Sequence, residues 1–233
     1  MDSQSLAHAA AAPGRAEPVI SRLLVLGLLL TGVPAVQALD VLPDSYRAAA
    51  AAGAIGTVKG RVYEERRRPE GPDQPLPGAA VTLLPRSAEF LRKLEEVKRT
   101  ARSSASDYRA AASAILALRA AYEKNLWESG AVDLVMATVV EADGHFLLEN
   151  LPAGDWLLIV TRSVATDKRP PAPASKQQRG VYAPGTHLTG YQRLTIWLRE
   201  VSISGGRSES LELPERSAWF SGVVEERAPD AGR

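Results

Sequence analysis

Few side chains in this sequence could do chemistry. It has three histidines, His8, His145 and His187, and no cysteine. The missing thiol removes disulfides, a thiolate nucleophile, cysteine-ligated zinc and an acylated lipoprotein cysteine. A zinc peptidase needs His and Glu ligands clustered around a general base, and neither HxxE nor HExxH occurs. No glycine-rich phosphate loop, nucleophile elbow or Ser/His/Asp order stands out. Asp143 with Glu141 could join a calcium site, but a turn role already accounts for Asp143. No catalytic residue, metal ligand or cofactor is therefore expected, and the chain is read as a non-enzyme.

The aromatics are the other candidates. An exposed indole can stack on a sugar ring, whereas buried or half-buried packing is the default for each aromatic. Trp156 stands in a core-like apolar run. Trp197 points away from the face shared by Leu194, Ile196 and Leu198, so it is expected to face solvent. Trp219 lies near a strand end, and Trp127 near the end of a helical stretch. Trp197, Trp219 and His187 are the candidate binding residues.

The elements that would position these groups centre on residues 138–160, TVVEADGHFLLENLPAGDWLLIV. Asp143-Gly144 between apolar runs is a strong hairpin signal, with both central residues expected at positive φ. Asn150 to Gly154 reads as a second turn, where Pro152 fixes φ and Gly154 is free to take a positive one. Together they predict a β-meander of three strands.

DG-x-F, then LPAG, then W-x-L-x-V resembles the signature of carboxypeptidase regulatory-like domains. Upstream, Gly56 to Val62 is similar to that family's first strand, and Pro77-Gly78-Ala79-Ala80-Val81 to its second. The resemblance implies a transthyretin-like (Ig-like) β-sandwich, an accessory module and not a catalytic domain. Three departures stand out: Val140 near the family's usual Thr, Trp156 in place of its usual Tyr, and a long insertion between the second and third strands. Intradiol ring-cleaving dioxygenases use a related sandwich and hold iron with two Tyr and two His, but their close His pair is absent here.

The insertion changes period. Phe90, Leu94, Val97 and Ala101 share one helical face, and Tyr108, Ala111, Ile115, Leu118 and Tyr122 continue it. One helix of about 40 residues would reach ~60 Å, and the few residues after Trp127 could not bring the chain back. The spacing therefore predicts a helical hairpin over 86–130. Its break lies at Ser103-Ser104-Ala105-Ser106 and its end at Gly130.

Composition sets the remaining bounds. The chain has 233 residues, 45% apolar and 24% charged, with a net charge of +1. That balance argues against a nucleic-acid partner. Arg22, the apolar run from Leu23 and the small-residue site ending at Ala38 describe a secretory signal peptide cleaved after Ala38. The alternative is a retained membrane anchor, somewhat short for spanning.

The expected organisation is an N-terminal extension and signal peptide over 1–38, a linker over 39–55, a sandwich over 56–85 and 131–226, the hairpin over 86–130, and a disordered tail over 227–233. The expected function is an exported interaction or structural module of the cell envelope, with an envelope protein or polysaccharide as partner. A carbohydrate-binding module using exposed aromatics is the rival. The hairpin and the Pro-, Lys- and Arg-rich loop over 167–190 are the surfaces the fold least needs. On that reading the hairpin could be replaced by a short turn without unfolding the sandwich.

Overall fold

Period-two alternation dominates the structure, a computed structural model that describes residues 40–66, 71–166 and 186–229. Among the described residues nine strands form: β1 Ile55–Glu64, β2 Gln74–Pro75, β3 Ala80–Pro85, β4 Met136–Val139, β5 His145–Pro152, β6 Gly154–Thr166, β7 Thr186–Ile203, β8 Ser208–Pro214 and β9 Phe220–Pro229. Three α-helices accompany them there: α1 Pro43–Ala51, α2 Ala88–Thr100 and α3 Ala105–Glu128. The protein is mainly β.

The strands divide into two sheets. In the small sheet β1 pairs antiparallel with β5 and, near its end, with β2, while β8 runs parallel along its other side. The large sheet has the order β4-β3-β6-β7-β9, antiparallel throughout. In β1, Val58 and Val62 are fully buried and alternate with more exposed neighbours, so one face of the small sheet packs inward.

The body of the large sheet, from Trp156 to Val160 of β6 and from Leu194 to Trp197 of β7, is buried on both faces. Trp197 sends its Nε1–H to the Pro214 carbonyl of β8 at 2.9 Å, which places its face against the small sheet. On the opposite face, Thr82 and Thr161 meet Arg119 of α3, at 2.7 and 3.5 Å. By register Leu157, Ile159, Leu194, Ile196 and Phe220 share that face. The helical hairpin lies on it. Phe90 and Leu94 of α2 and Ala111, Ala112, Ile115, Tyr122 and Leu126 of α3 are buried in the common core. The Tyr122 hydroxyl donates to the Pro85 carbonyl at 3.0 Å. Tyr108 donates to the Ser221 carbonyl at 3.0 Å. At Gly222 a Cβ would sit 3.2 Å from the Ala112 Cβ, so the small residues let α3 approach β9 closely.

The break within 103–106 and the end at Gly130 fall where the spacing predicts them. Ser87 and Ser104 are N-caps, their hydroxyls accepting from Phe90 N and Asp107 N at 3.0 and 3.1 Å. Gly130 takes φ +73° beyond the end of α3.

Several expectations need correction. The two expected sheets are present, and the hairpin is not separate from them: it forms a third layer packed into the common core. Trp197 is 1% exposed and not solvent-facing, because its own face packs against the small sheet, while the hairpin covers the opposite face of Leu194 to Leu198. Residues 138–160 are not a meander: β4 and β6 belong to the large sheet and β5 to the small one, so the chain changes sheet at both turns.

The first of those turns has three residues. Glu141 N bonds His145 O at 2.8 Å and Gly144 N bonds Glu141 O at 3.0 Å. Only Gly144 is at positive φ, +86°; Asp143 is not, and its carboxylate instead accepts from His145 N at 3.0 Å. At the second, Asn150 (φ +57°) forms a bulge within β5, and the change of sheet falls between Pro152 and Gly154. Gly154 takes φ +154°, where a Cβ would come within 2.7 Å of the Tyr46 ring.

The stretch over 39–55, which by sequence fits a linker or a short helix, contains the helix α1, whose Tyr46 packs edge-on against Trp156 at 4.9 Å. β9 runs on to Pro229, three residues into the stretch expected to be a disordered tail. Ala38, the signal segment and residues 167–185 of the long loop lie outside the described residues. No helix among the described residues is long and apolar enough to cross a membrane.

Candidate functional site

With the hairpin on one side of the body of the large sheet and the small sheet on the other, the outer face of the small sheet stays open among the described residues. It is built from the alternate residues of β1. Gly56, Val58, Gly60 and Val62 point inward, so Thr57, Lys59, Arg61 and Tyr63 point out.

Register aligns their neighbours into rows. Lys59 lies between Leu147 of β5 and Ser210 of β8, Arg61 between His145 and Glu212, and Tyr63 between Pro75 and Pro214. Lys59, His145, Ser210 and Glu212 are exposed, Arg61 and Tyr63 half-buried, and Leu147 is 48% exposed despite being apolar.

The charges are arranged around Tyr63. The Arg61 guanidinium lies 4.7 Å over the Tyr63 ring centroid and 3.8 Å from the Asp73 carboxylate. The Tyr63 hydroxyl is held above its ordinary range, first by partial desolvation and then by the negative charges of Glu212, Asp73 and Glu65. At the rim, Arg216 pairs with Glu65 at 2.7 Å. The Asp143 carboxyl is held below its ordinary range, first by the backbone N–H of His145 that it accepts, and His145 Nδ1 lies 3.1 Å from it.

Such a face can bind by hydrogen bonding, ion pairing and apolar contact at Leu147 and Tyr63. Its backbone is set by strand pairing and not by a loop, so the groups are pre-positioned. Among the described residues no three His, Asp or Glu side chains converge as a metal-binding group.

The residues singled out in the sequence are not brought together. Trp197 is in the core. Trp219 is half-buried on the hairpin side, its ring under the Lys98 amine at 4.8 Å and its Nε1–H donated to Glu95 at 2.7 Å. It seals α2 to the start of β9 beside a cavity of about 10 Å³, room for one water at most. His187 falls in β7 opposite Ala228, and its side chain lies outside the described set. Asp143 and Gly144 form the turn at the lower corner of the open face, while Pro152 and Gly154 serve the change of sheet. The exposed indole is Trp127, 73% exposed at the end of α3.

Sequence reading passed over Lys59, Arg61 and Tyr63. The signal was present: Thr57-x-Lys59-x-Arg61-x-Tyr63 against Gly56-x-Val58-x-Gly60-x-Val62 gives β1 one small, apolar face and one cationic, aromatic face.

No family model matches the chain, and no curated protein matches its sequence. Solved structures of similar shape include a "putative carbohydrate binding protein" of Pseudomonas aeruginosa, with 13% identity over 76% of this chain and 99% of that one, at a TM-score of 0.40. A minor pilin of Streptococcus agalactiae matches with 10% identity over 77% of this chain and 48% of that one, at 0.29. The pilus backbone protein of Streptococcus pneumoniae matches with 13% identity over 68% and 40%, at 0.25.

Proposed function

We propose that the protein is an exported, non-catalytic interaction module of the bacterial cell envelope, a transthyretin-like sandwich similar to carboxypeptidase regulatory-like domains, and that it holds its partner on the outer face of the small sheet. The observation that carries this reading is the register-aligned set Lys59, Arg61, Tyr63, Leu147 and Glu212 on a sheet face left open among the described residues, where both faces of the body of the large sheet are covered. The signal-like segment ending at Ala38 supports export. The near-neutral charge supports a protein or polysaccharide partner over a nucleic acid.

The hairpin is a weaker candidate than its sequence suggested, because its apolar side is spent on the large sheet. A carbohydrate-binding reading now rests on Tyr63, flanked by Asp73 and Glu212, whose carboxylates can accept from sugar hydroxyls, and not on Trp197 with Trp219. Membrane attachment enters only if the N-terminal segment is retained.

The test is co-sedimentation of the purified protein with isolated cell envelopes. The double variant Arg61→Ala, Tyr63→Ala should bind at least about tenfold more weakly while melting as a folded protein. Loss of binding after protease treatment of the envelopes assigns a protein partner; loss after polysaccharide hydrolysis assigns a glycan. Undiminished binding by the folded double variant would overturn the assignment.

A further inference from the structure

A β-sheet edge offers a row of backbone donors and acceptors to any passing strand, and natural sheets blunt such edges with short length, bulges, charge or proline. The described edges of this fold follow that rule, with one exception. β4 is four residues long. β5 carries Glu149 and the bulge at Asn150. β8 carries Glu209 and Glu212 and ends at Pro214. β9 carries Glu225, Glu226 and Arg227 and ends at Pro229.

The exception is the far half of β6. β3 pairs with β6 only as far as Thr161, whereas β6 continues in unbroken register with β7 to Thr166. The free edge carries one charge, Arg162 at its inner end; beyond it Ser163-Val164-Ala165-Thr166 has no charge, proline, glycine or bulge, and two of these four residues are β-branched. It also stands clear of the other layers. None of residues 162–166, 188–193 or 223–227 is buried, while the core begins at Val160, Leu194 and Gly222. The large sheet thus extends as a three-stranded arm beyond the hairpin and the small sheet.

We propose that this edge is a dimerisation strand, pairing antiparallel with the same segment of a second copy to merge two three-stranded arms into one six-stranded sheet. A second copy fits because a twofold contact requires a self-complementary surface. A twofold axis perpendicular to the sheet sets each face against its own kind. Centred on Val164, it puts Val164 opposite Val164 of the other copy, Ser163 opposite Ala165, and Arg162 opposite Thr166. No like charges meet, and a β-branched pair occupies the centre. The same operation on β9 would crowd Glu225 and Glu226 against their own copies.

The absence of any native cysteine makes the test direct. The full chain carrying Val164→Cys, produced in cells that export it and mildly oxidised, should be trapped as a species of twice the mass. Its yield should exceed by about tenfold that of Arg109→Cys, an exposed position on the hairpin. Wild-type protein should sediment as a dimer, and Val164→Lys, which opposes two ammonium groups, as a monomer. Circular dichroism tells whether the lysine variant is folded, and the cysteine comparison stands without it. Equal crosslinking at positions 164 and 109, or a wild-type monomer at concentrations up to ~100 μM, would overturn the proposal.

Discussion

Trp197 is, with Trp156, one of the two largest fully buried side chains. Its indole fills space between the two sheets, and its N–H reaches the Pro214 carbonyl at 2.9 Å. Trp197→Phe keeps most of the apolar body but removes one of the two hydrogen bonds that the half-buried Pro214 carbonyl accepts, the Ser217 hydroxyl still donating at 2.9 Å, and should cost ~0.5–1.5 kcal/mol in chemical denaturation. Trp197→Ala adds a cavity and should cost ~3–5 kcal/mol. Neither change should weaken envelope binding per folded molecule, since the indole never reaches the open face.

A second residue-scale effect is electrostatic. The Glu89 carboxyl, in the first turn of α2, is held at about 2, first by the Arg92 guanidinium and then by Lys93. A carboxyl lowered on folding adds stability that is complete above its unfolded value, roughly 4.3, and is lost as pH falls toward the folded one. Thermal melts of Glu89→Gln should therefore converge on wild type as pH drops through that window. A variant that keeps its full deficit at the lowest pH would contradict this cause.

At the scale of elements, the hairpin is the third layer of the core. Replacing residues 88–128 by a short turn would bare Leu157, Ile159, Leu194, Ile196 and Phe220 together, a contiguous apolar surface of the kind that drives aggregation. The shortened protein should be insoluble or molten, judged by near-UV circular dichroism; a soluble, cooperatively melting product would return the hairpin to the status of an appendage.

The hairpin itself was legible from its sequence. Ser87 and Ser104 could be read as caps, Gly130 as a terminator, and the change from period two to period 3.6 as the boundary. What it packs against was not. A stripe such as Phe90, Leu94 and Ile115 states that an apolar surface is required, not which one. The clue lay in the target: Trp156-Leu157-Leu158-Ile159-Val160 is apolar without alternation, as a strand covered on both faces should be. Read beside the hairpin, that run implies a layer on each side.

At the scale of the whole molecule, the strands could be read, but their assignment to sheets could not. Asp143-Gly144 fixes a reversal of direction equally well for a hairpin within one sheet and for a corner between two, because the turn residues answer only to local φ and ψ. That ambiguity turned a change of sheet into a supposed meander and turned Trp197 outward. The open face escaped notice for a related reason. Lys59, Arg61 and Tyr63 become neighbours of Leu147, His145 and Glu212 only through register between segments far apart in sequence. Layering decides which surfaces remain for a partner: among the described residues both faces of the body of the large sheet are consumed, and its projecting arm and the outer face of the small sheet are left.

The most direct measurement is site-specific photo-crosslinking in intact cells. A photoreactive residue at Leu147, on the open face, is compared with one at Arg109, exposed on the hairpin. The account predicts covalent adducts from position 147 and none above background from 109; adducts from 109 with none from 147 would contradict it.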